Sequence, residues 1–259
     1  MRRSIIICIA TMFVISLMVT YSALAQVSKG LVLAMMFDEK SGDKVSDSSG
    51  YGNHGKVEGK ADWKAGKYNN AFHLDGATHI TVLNKDPLTQ LTHPMTVGCW
   101  INPDSITGWH NIVEMDKTDP ASKVGGWKLG FNATKNVVWT TYGVKDFAGT
   151  TVVDVGKWTH VAVTWDGAQA TIYINGKPEA PIAGGGVINV KDTSQFPSLD
   201  IGWRRSSASS FFIGYVDDLF VYNRLLTEKE INDLMAGMSA LAVKSSDKAS
   251  TTWGNLKKF

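Results

Sequence analysis

Apolar residues recur along this chain in short runs of strand length, parted by Gly, Asn and Asp. The first is residues 31–37 (LVLAMMF). Further runs lie at 71–74, 79–83, 95–101, 112–115, 158–165, 170–174, 199–203 and 212–222. Short runs rich in Val, Ile, Thr and aromatic residues, bounded by turn formers, read as β-strands. The clearest pair is 158–165, which ends at Asp166-Gly167, and 170–174, which ends at Asn175-Gly176. Both dipeptides favour tight hairpin turns. Alternation along 158–165 puts Thr159, Val161, Val163 and Trp165 on the more apolar face, expected inside, and Trp158, His160, Ala162 and Thr164 on the other. His160 is expected to be a packed, hydrogen-bonded residue. Residues 43–59, rich in Gly, Ser, Asp and Asn, read as loop.

One helix breaks the pattern. Thr227-Glu228-Lys229-Glu230 has the form of a capping box. Ile231, Leu234 and Met235 then fall on one face, and Gly237 supplies a stop. Many strands without alternating helices predict an all-β protein, a two-sheet antiparallel jelly-roll sandwich with one short C-terminal helix. No internal repeat is visible.

The N-terminal segment changes the domain picture. Arg2 and Arg3 precede an apolar run over residues 5–19, and Ala23-Leu24-Ala25 follows. This is the pattern of a secretory signal peptide, with cleavage expected before Gln26. The run is long enough for an uncleaved anchor, but the small-residue site favours removal and no membrane insertion afterwards. The expected organisation is a signal peptide at 1–25, one sandwich domain at 26–240 and a polar extension at 241–259. Export then sends the chain outside, into a periplasm or to a cell surface.

Cleavage also changes the charge. The chain has 26 Lys and Arg against 24 Asp and Glu, and losing Arg2 and Arg3 leaves 24 against 24. A neutral domain has no electrostatic drive toward phosphate backbones, which argues against nucleic acid. Of two cysteines, Cys8 and Cys99, only Cys99 survives, so no intrachain disulfide is available. Cys99, in the apolar run 95–101, reads as a buried inert thiol.

Four segments, in order, resemble the concanavalin A-like lectin/glucanase superfamily in its laminin G-like branch. They are Phe37-Asp38-Glu39 with the loop from Asp47 through Asn53-His54-Gly55, Phe72-His73-Leu74-Asp75-Gly76, the hairpin at 158–176, and Gly214-Tyr215-Val216-Asp217-Asp218 running on to Ile231. The resemblance spans roughly residues 30–237 and implies two packed antiparallel sheets of a dozen or so strands. It also implies that the first and last strands lie side by side, with the helix after the last. Relatives of this kind are mostly exported modules that bind glycans or proteins, often with a calcium ion.

On that topology the acidic motifs at the two ends could converge. Asp47, Asn53 and Asp217 are the candidate ligands of a structural calcium ion, which takes six to eight oxygen ligands. The alternative is that Asp47 and Asn53 cap their own turn. Alternation should send Asp217 and Asp218 to opposite faces, leaving only one core-side.

Glu114-Met115-Asp116-Lys117-Thr118-Asp119 nearly matches the E-x-D-x-x-E strand motif of the superfamily's retaining glucanases, whose two carboxylates act as nucleophile and acid/base. The third acid is one methylene short. Lys117 and Thr118 are polar, and Asp119-Pro120 ends the strand. The expected strand is therefore 112–115, with 116–126 as loop, and catalysis is not the leading reading. Spaced zinc ligands, a nucleophile elbow and a phosphate loop are all missing. Asn132-Ala133-Thr134 is a glycosylation sequon, relevant only in a eukaryotic secretory pathway.

Aromatic residues are the remaining handle, because their faces stack on sugar rings. Trp109, Trp127, Trp139, Tyr142 and Trp203 lie in or near Gly- and Asn-rich segments. Trp139, within Val137-Val138-Trp139, is expected in the core. Trp109 and Trp203 are the candidate ligand-binding residues. The reading is an exported, non-catalytic module recognising a glycan or an extracellular protein. The alternatives are a structural or adhesive envelope protein and, third, a glucanase-like hydrolase.

Overall fold

The computed structural model describes residues 28–119 and 124–238. The expected signal peptide and the extension at 241–259 lie outside the described residues. Two antiparallel sheets pack face to face. Nine strands form the first: β14 (Lys177–Pro178), β13 (Gln169–Ile174), β12 (Thr159–Trp165), β7 (Met95–Ser105), β17 (Ile213–Tyr222), β5 (Asn70–Asp75) and β4 (Trp63–Ala65) in order, with β1 (Leu31–Met35) on β17 and β15 (Ile182–Ala183) on β13. Eight form the second: β11 (Lys145–Val152), β10 (Asn136–Thr141), β9 (Trp127–Phe131), β8 (His110–Met115), β16 (Ser198–Ile201), β6 (His79–Leu83), β3 (Gly55–Glu58) and β2 (Lys44–Val45). The first and last strands are neighbours, with Leu31 opposite Tyr222 and Met35 opposite Leu219. This closes the chain's two ends into one sheet.

Two-residue alternation decides which side chains enter the core. Val161, Val163 and Trp165 of β12, Leu33 and Met35 of β1, and Leu219 and Val221 of β17 point inward. Trp127, Leu129 and Phe131 of β9, with Val137 and Trp139 of β10, meet them from the opposite sheet. Trp139 is in the core as expected, stacked on Trp127 with ring centroids 5.3 Å apart. The thiol of Cys99 is buried among these groups, and burial raises its pKa beyond physiological range.

The outward residues of the first sheet that lie near the helix are buried as well. All of β12 is buried. Ala34, Ala162, Phe220 and Tyr222 pack beneath a helix, α1 (Glu228–Met235), against its Ile231 and Leu234. Alternation gave the right inner face but could not reveal a lid that arrives some sixty residues later in sequence. Small outward residues make room for it: a Cβ on Gly98 would come within 2.5 Å of the Phe220 ring. The helix begins as read, with both bonds of the Thr227–Glu230 capping box formed. Arg224 pairs with Glu230 at 2.7 Å and ties this start to the end of β17.

His160 lies under the lid. It is packed edge-on to Trp100 and stacked on Phe220, but neither ring nitrogen finds a hydrogen-bond partner among the described residues. That half of the expectation fails. Burial pushes the imidazole down to about 3, so the ring stays neutral. No helix among the described residues is long and apolar enough to cross a membrane.

Because both faces of β12 are sealed, Ala162→Asp under the helix should be as damaging as Val163→Asp between the sheets. An unpaired buried charge costs several kcal/mol, comparable with a domain's whole stability of roughly 5–15 kcal/mol. Neither variant should give a cooperative melting transition by circular dichroism. A wild-type melt for Ala162→Asp would show that the helix does not seal that face.

Candidate functional site

Among the described residues the second sheet has no lid of this kind, and many of its outward side chains are polar. Register places them in one transverse row. Lys56 faces Thr81, Thr81 faces Asp200, Asp200 faces Glu114, Glu114 faces Lys128, Lys128 faces Thr140, and Thr140 faces Asp146. Cross-strand partners of this kind sit roughly 5 Å apart, so the row runs across seven adjacent strands, β3 to β11.

The middle of the row is covered by the segment after β16. Arg204 and Ser209 bridge to one another and fold residues 204–209 back over the sheet. Arg205 grips Asp200 through two 2.6 Å bonds. Its backbone N–H donates to Glu114 Oε1 at 2.8 Å. The other Glu114 oxygen accepts from Tyr142 Oη at 2.7 Å and from the Asn111 side-chain amide. Asp116 Oδ2 accepts from Arg204 Nε at 3.1 Å and from Ser206 Oγ at 2.6 Å.

The glucanase-like acids are thus placed as follows. β8 ends at Met115, as the reading of 112–115 implied apart from two extra residues at its start. Glu114 and Asp116 are buried and fully engaged by donors, while Asp119 is exposed in the following loop. Burial, followed by the neighbouring Asp116, pushes the Glu114 carboxyl up to about 8, against its hydrogen bonds from Tyr142 and Arg205.

Beside this plug the sheet opens into a cleft of about 510 Å³. Trp109, Lys128, Thr140, Tyr142, Asp146 and Arg204 line it. Trp109, expected as a ligand-binding residue, stands at the mouth and is 45% exposed. Lys128 Nζ lies 4.6 Å from its ring centroid. The Arg204 guanidinium lies 5.1 Å from the Tyr142 ring centroid. Trp203, the other expected residue, does not line the cleft. It is half-buried, with one face stacked on His79 at 3.8 Å and Arg205 5.6 Å from its ring. Lys128 and Arg204 went unrecognised in the sequence. Lys128 had a signal, as the lone polar residue of the alternation Trp127-Lys128-Leu129.

The expected calcium ligands separate into two hydrogen-bonded systems. Asp47 Oδ1 accepts the backbone N–H of Ala34 and Ser49, and Oδ2 accepts Ser49 Oγ and the Asn53 N–H. The Asn53 side-chain amide donates to the Asp86 carbonyl at 3.3 Å. Asp217 Oδ2 accepts the N–H groups of Lys67 and Tyr68, and Oδ1 that of Asp218. Donors surround these oxygens where a cation would need free lone pairs, so the three residues as placed do not fit a shared calcium cage. Among the described residues no cluster of three or more His, Cys, Asp or Glu is arranged to hold a metal.

The opposite-face expectation for Asp217 and Asp218 fails for a local reason. Asp218 takes φ +45°, the pairing of β17 with β7 shifts between Asp217 and Phe220, and both carboxyls are buried. Burial pushes them up to about 8 and about 7.

A family model described as the concanavalin A-like lectin/glucanases superfamily matches residues 74–232. No curated protein matches the chain. Among solved structures, Domain 4 of AbnA, a GH43 extracellular arabinanase from Geobacillus stearothermophilus solved with arabinotriose, is 22% identical. The match covers 79% of this chain and 98% of that one, with a TM-score of 0.61. The binding domain of Paraclostridial Mosquitocidal Protein 1 is 18% identical over 81% of this chain and 52% of that one, at TM-score 0.60. The binding domain of Botulinum Neurotoxin DC, solved with SialylT, is 17% identical over 81% and 52%, at TM-score 0.59. The chain thus spans about half the length of those toxin domains. At these identities the likeness shows a shared sandwich fold.

Two predictions follow from the carboxylates. Asp47→Ala strips acceptors from three backbone N–H groups, and each unsatisfied buried group costs about 1–3 kcal/mol. Its melting temperature should fall by several degrees, equally in millimolar calcium and in chelator; a loss seen only with calcium would restore the metal reading. Glu114 is held above its ordinary value near 4.5. A raised carboxyl contributes stability that is complete below the unfolded pKa and lost as pH climbs through the folded one. Between about pH 5 and about pH 9 the wild type should therefore lose stability relative to Glu114→Gln. Asp217 and Asp218 titrate in both proteins and cancel. Parallel melting profiles would refute the assignment.

Proposed function

The chain belongs to the concanavalin A-like lectin/glucanase superfamily, and from that premise we propose that it is an exported, non-catalytic module that binds a glycan in the cleft over β8–β11. The observation that carries this reading is Trp109, an indole 45% exposed at the mouth of a 510 Å³ cleft rimmed by hydrogen-bonding side chains. An exposed aromatic face beside a few polar groups is what a sugar ring requires, since one face of the ring is apolar and its edge carries hydroxyls. The neighbouring structures support the choice of ligand: one was solved with arabinotriose and one with SialylT. Export rests on Arg2, Arg3 and the Ala23-Leu24-Ala25 site.

A hydrolytic role is disfavoured by the partners of the acids. A retaining mechanism needs one free carboxylate nucleophile and one acid/base facing the substrate. Glu114 and Asp116 instead hold Arg205, Tyr142, Arg204 and Ser206 in place. A protein partner is the second reading, supported by the Botulinum Neurotoxin DC binding domain solved with rat synaptotagmin II and by the exposed Val144 on the cleft wall.

A glycan array probed with the purified protein tests the proposal. Wild type should bind a restricted set of glycans, and Trp109→Ala should lose at least tenfold in affinity, about 1.4 kcal/mol, with an unchanged melting temperature. Retained binding in Trp109→Ala would move the site elsewhere, and an empty array would favour the protein partner.

A further inference from the structure

The cleft is charged although residues 26–259 carry 24 Lys and Arg against 24 Asp and Glu. Lys128, Lys145 and Arg204 line it against a single carboxylate, Asp146. Two of these cations are occupied. Arg204 is paired with Asp116. Lys145 Nζ donates to the Ala183 carbonyl at 2.6 Å. Asp146 accepts a hydrogen bond from Thr140 Oγ1.

Lys128 differs from both. It is only 7% exposed, yet no carboxylate among the described residues lies within ion-pair distance of its ammonium. Its cross-strand neighbour Glu114 has both oxygens taken by Tyr142, Asn111 and Arg205. What Lys128 has instead is the face of Trp109, a weak partner for a cation with little access to water. Burial is the main influence on it and lowers its pKa, with Asp146 and Glu114 pulling the other way. A buried charge without a counter-ion is expensive, and this one faces a cleft that opens to solvent. A ligand anion placed there would gain a charge-assisted hydrogen bond, stronger than a neutral one.

Resting on the glycan reading above, we propose that the cleft selects acidic sugars, with Lys128 Nζ binding a ring-borne carboxylate while Trp109 packs against the ring that carries it. The geometry couples the two roles, because ammonium and indole face lie 4.6 Å apart, which is within the reach of one sugar residue.

The experiment is calorimetric titration of the full purified chain with oligosaccharides bearing glucuronate, galacturonate, mannuronate or sialic acid, each beside its carboxyl-reduced neutral form. At least one acidic member should bind tenfold or more tighter than its reduced counterpart, and the preference should shrink at raised salt. Lys128→Met fills the same space without charge and should bring acidic and neutral forms to equal affinity. Lys128→Arg should keep the preference, and Trp109→Ala should weaken both forms alike. Equal binding of acidic and reduced forms by wild type would overturn the proposal and leave the glycan reading standing. So would a preference that survives in Lys128→Met. Binding of no sugar of either kind would remove both.

Discussion

Two stacked sheets present four faces, and burying an apolar face against something is the constraint on which the rest of this structure depends. The inner pair meet each other. The outer face of the nine-stranded sheet carries Ala34, Ala162, Phe220 and Tyr222, and it is closed by one amphipathic helix. The β1–β17 pairing makes that closure possible, because it sets the end of the last strand, and so the start of the helix, beside the first strand. With the helix committed there, the outer face of the eight-stranded sheet has no such cover among the described residues. The location of the candidate site is therefore a consequence of how the opposite face is sealed.

A face left open can be polar, but its charges still need partners where water is scarce. Asp200, Glu114 and Asp116 stand close together and are almost fully buried, an arrangement that like charges would not tolerate alone. Residues 204–206 resolve it by bringing two guanidiniums, a hydroxyl and a backbone N–H over the three acids. Residues that resemble a hydrolytic motif in sequence are thereby the anchor of a loop. The motif's spacing is retained, and its first two acids are hydrogen-bonded to the loop that covers them.

The strands, the hairpin and the capped helix were legible from alternation and turn dipeptides, because each is written in local sequence, while the adjacency of the terminal strands came from the family resemblance. The burial of both faces of β12 was not, since the covering helix lies far along the chain. Nor was the bulge at Asp218, where a positive φ overrides alternation without a glycine to announce it. Trp109 was legible as an aromatic in a Gly-rich segment. Trp203 carried the same signal and is half-buried against His79, because stacking partners are set by the fold. The proposed metal set failed the geometric test for a related reason. Topology brings segments together, but whether carboxylates meet a cation or backbone N–H groups depends on turns of a few residues. Lys128 shows the reverse case: its alternation was visible, while the occupation of Glu114 by other donors, which leaves the ammonium uncompensated, exists only in three dimensions.

The loop that neutralises the acids also shapes the cleft, which links stability to recognition. Ala208 and Ser210 adopt φ +44° and +54°, a left-handed conformation that costs a non-glycine residue of order 1 kcal/mol. Such a conformation persists only where surrounding contacts over-determine it. Those contacts are the Arg204–Ser209 bridge and the grip of both arginines on buried carboxylates. Arg204 and Ser210 in turn form one wall of the cleft. That wall is therefore fixed before any ligand arrives. In the proposed function, a ligand bound there orders few protein side chains and so forgoes less conformational entropy. In the proposed function the acids Glu114, Asp116 and Asp200 contribute to recognition at second hand, by holding rigid the surface that a ligand would touch.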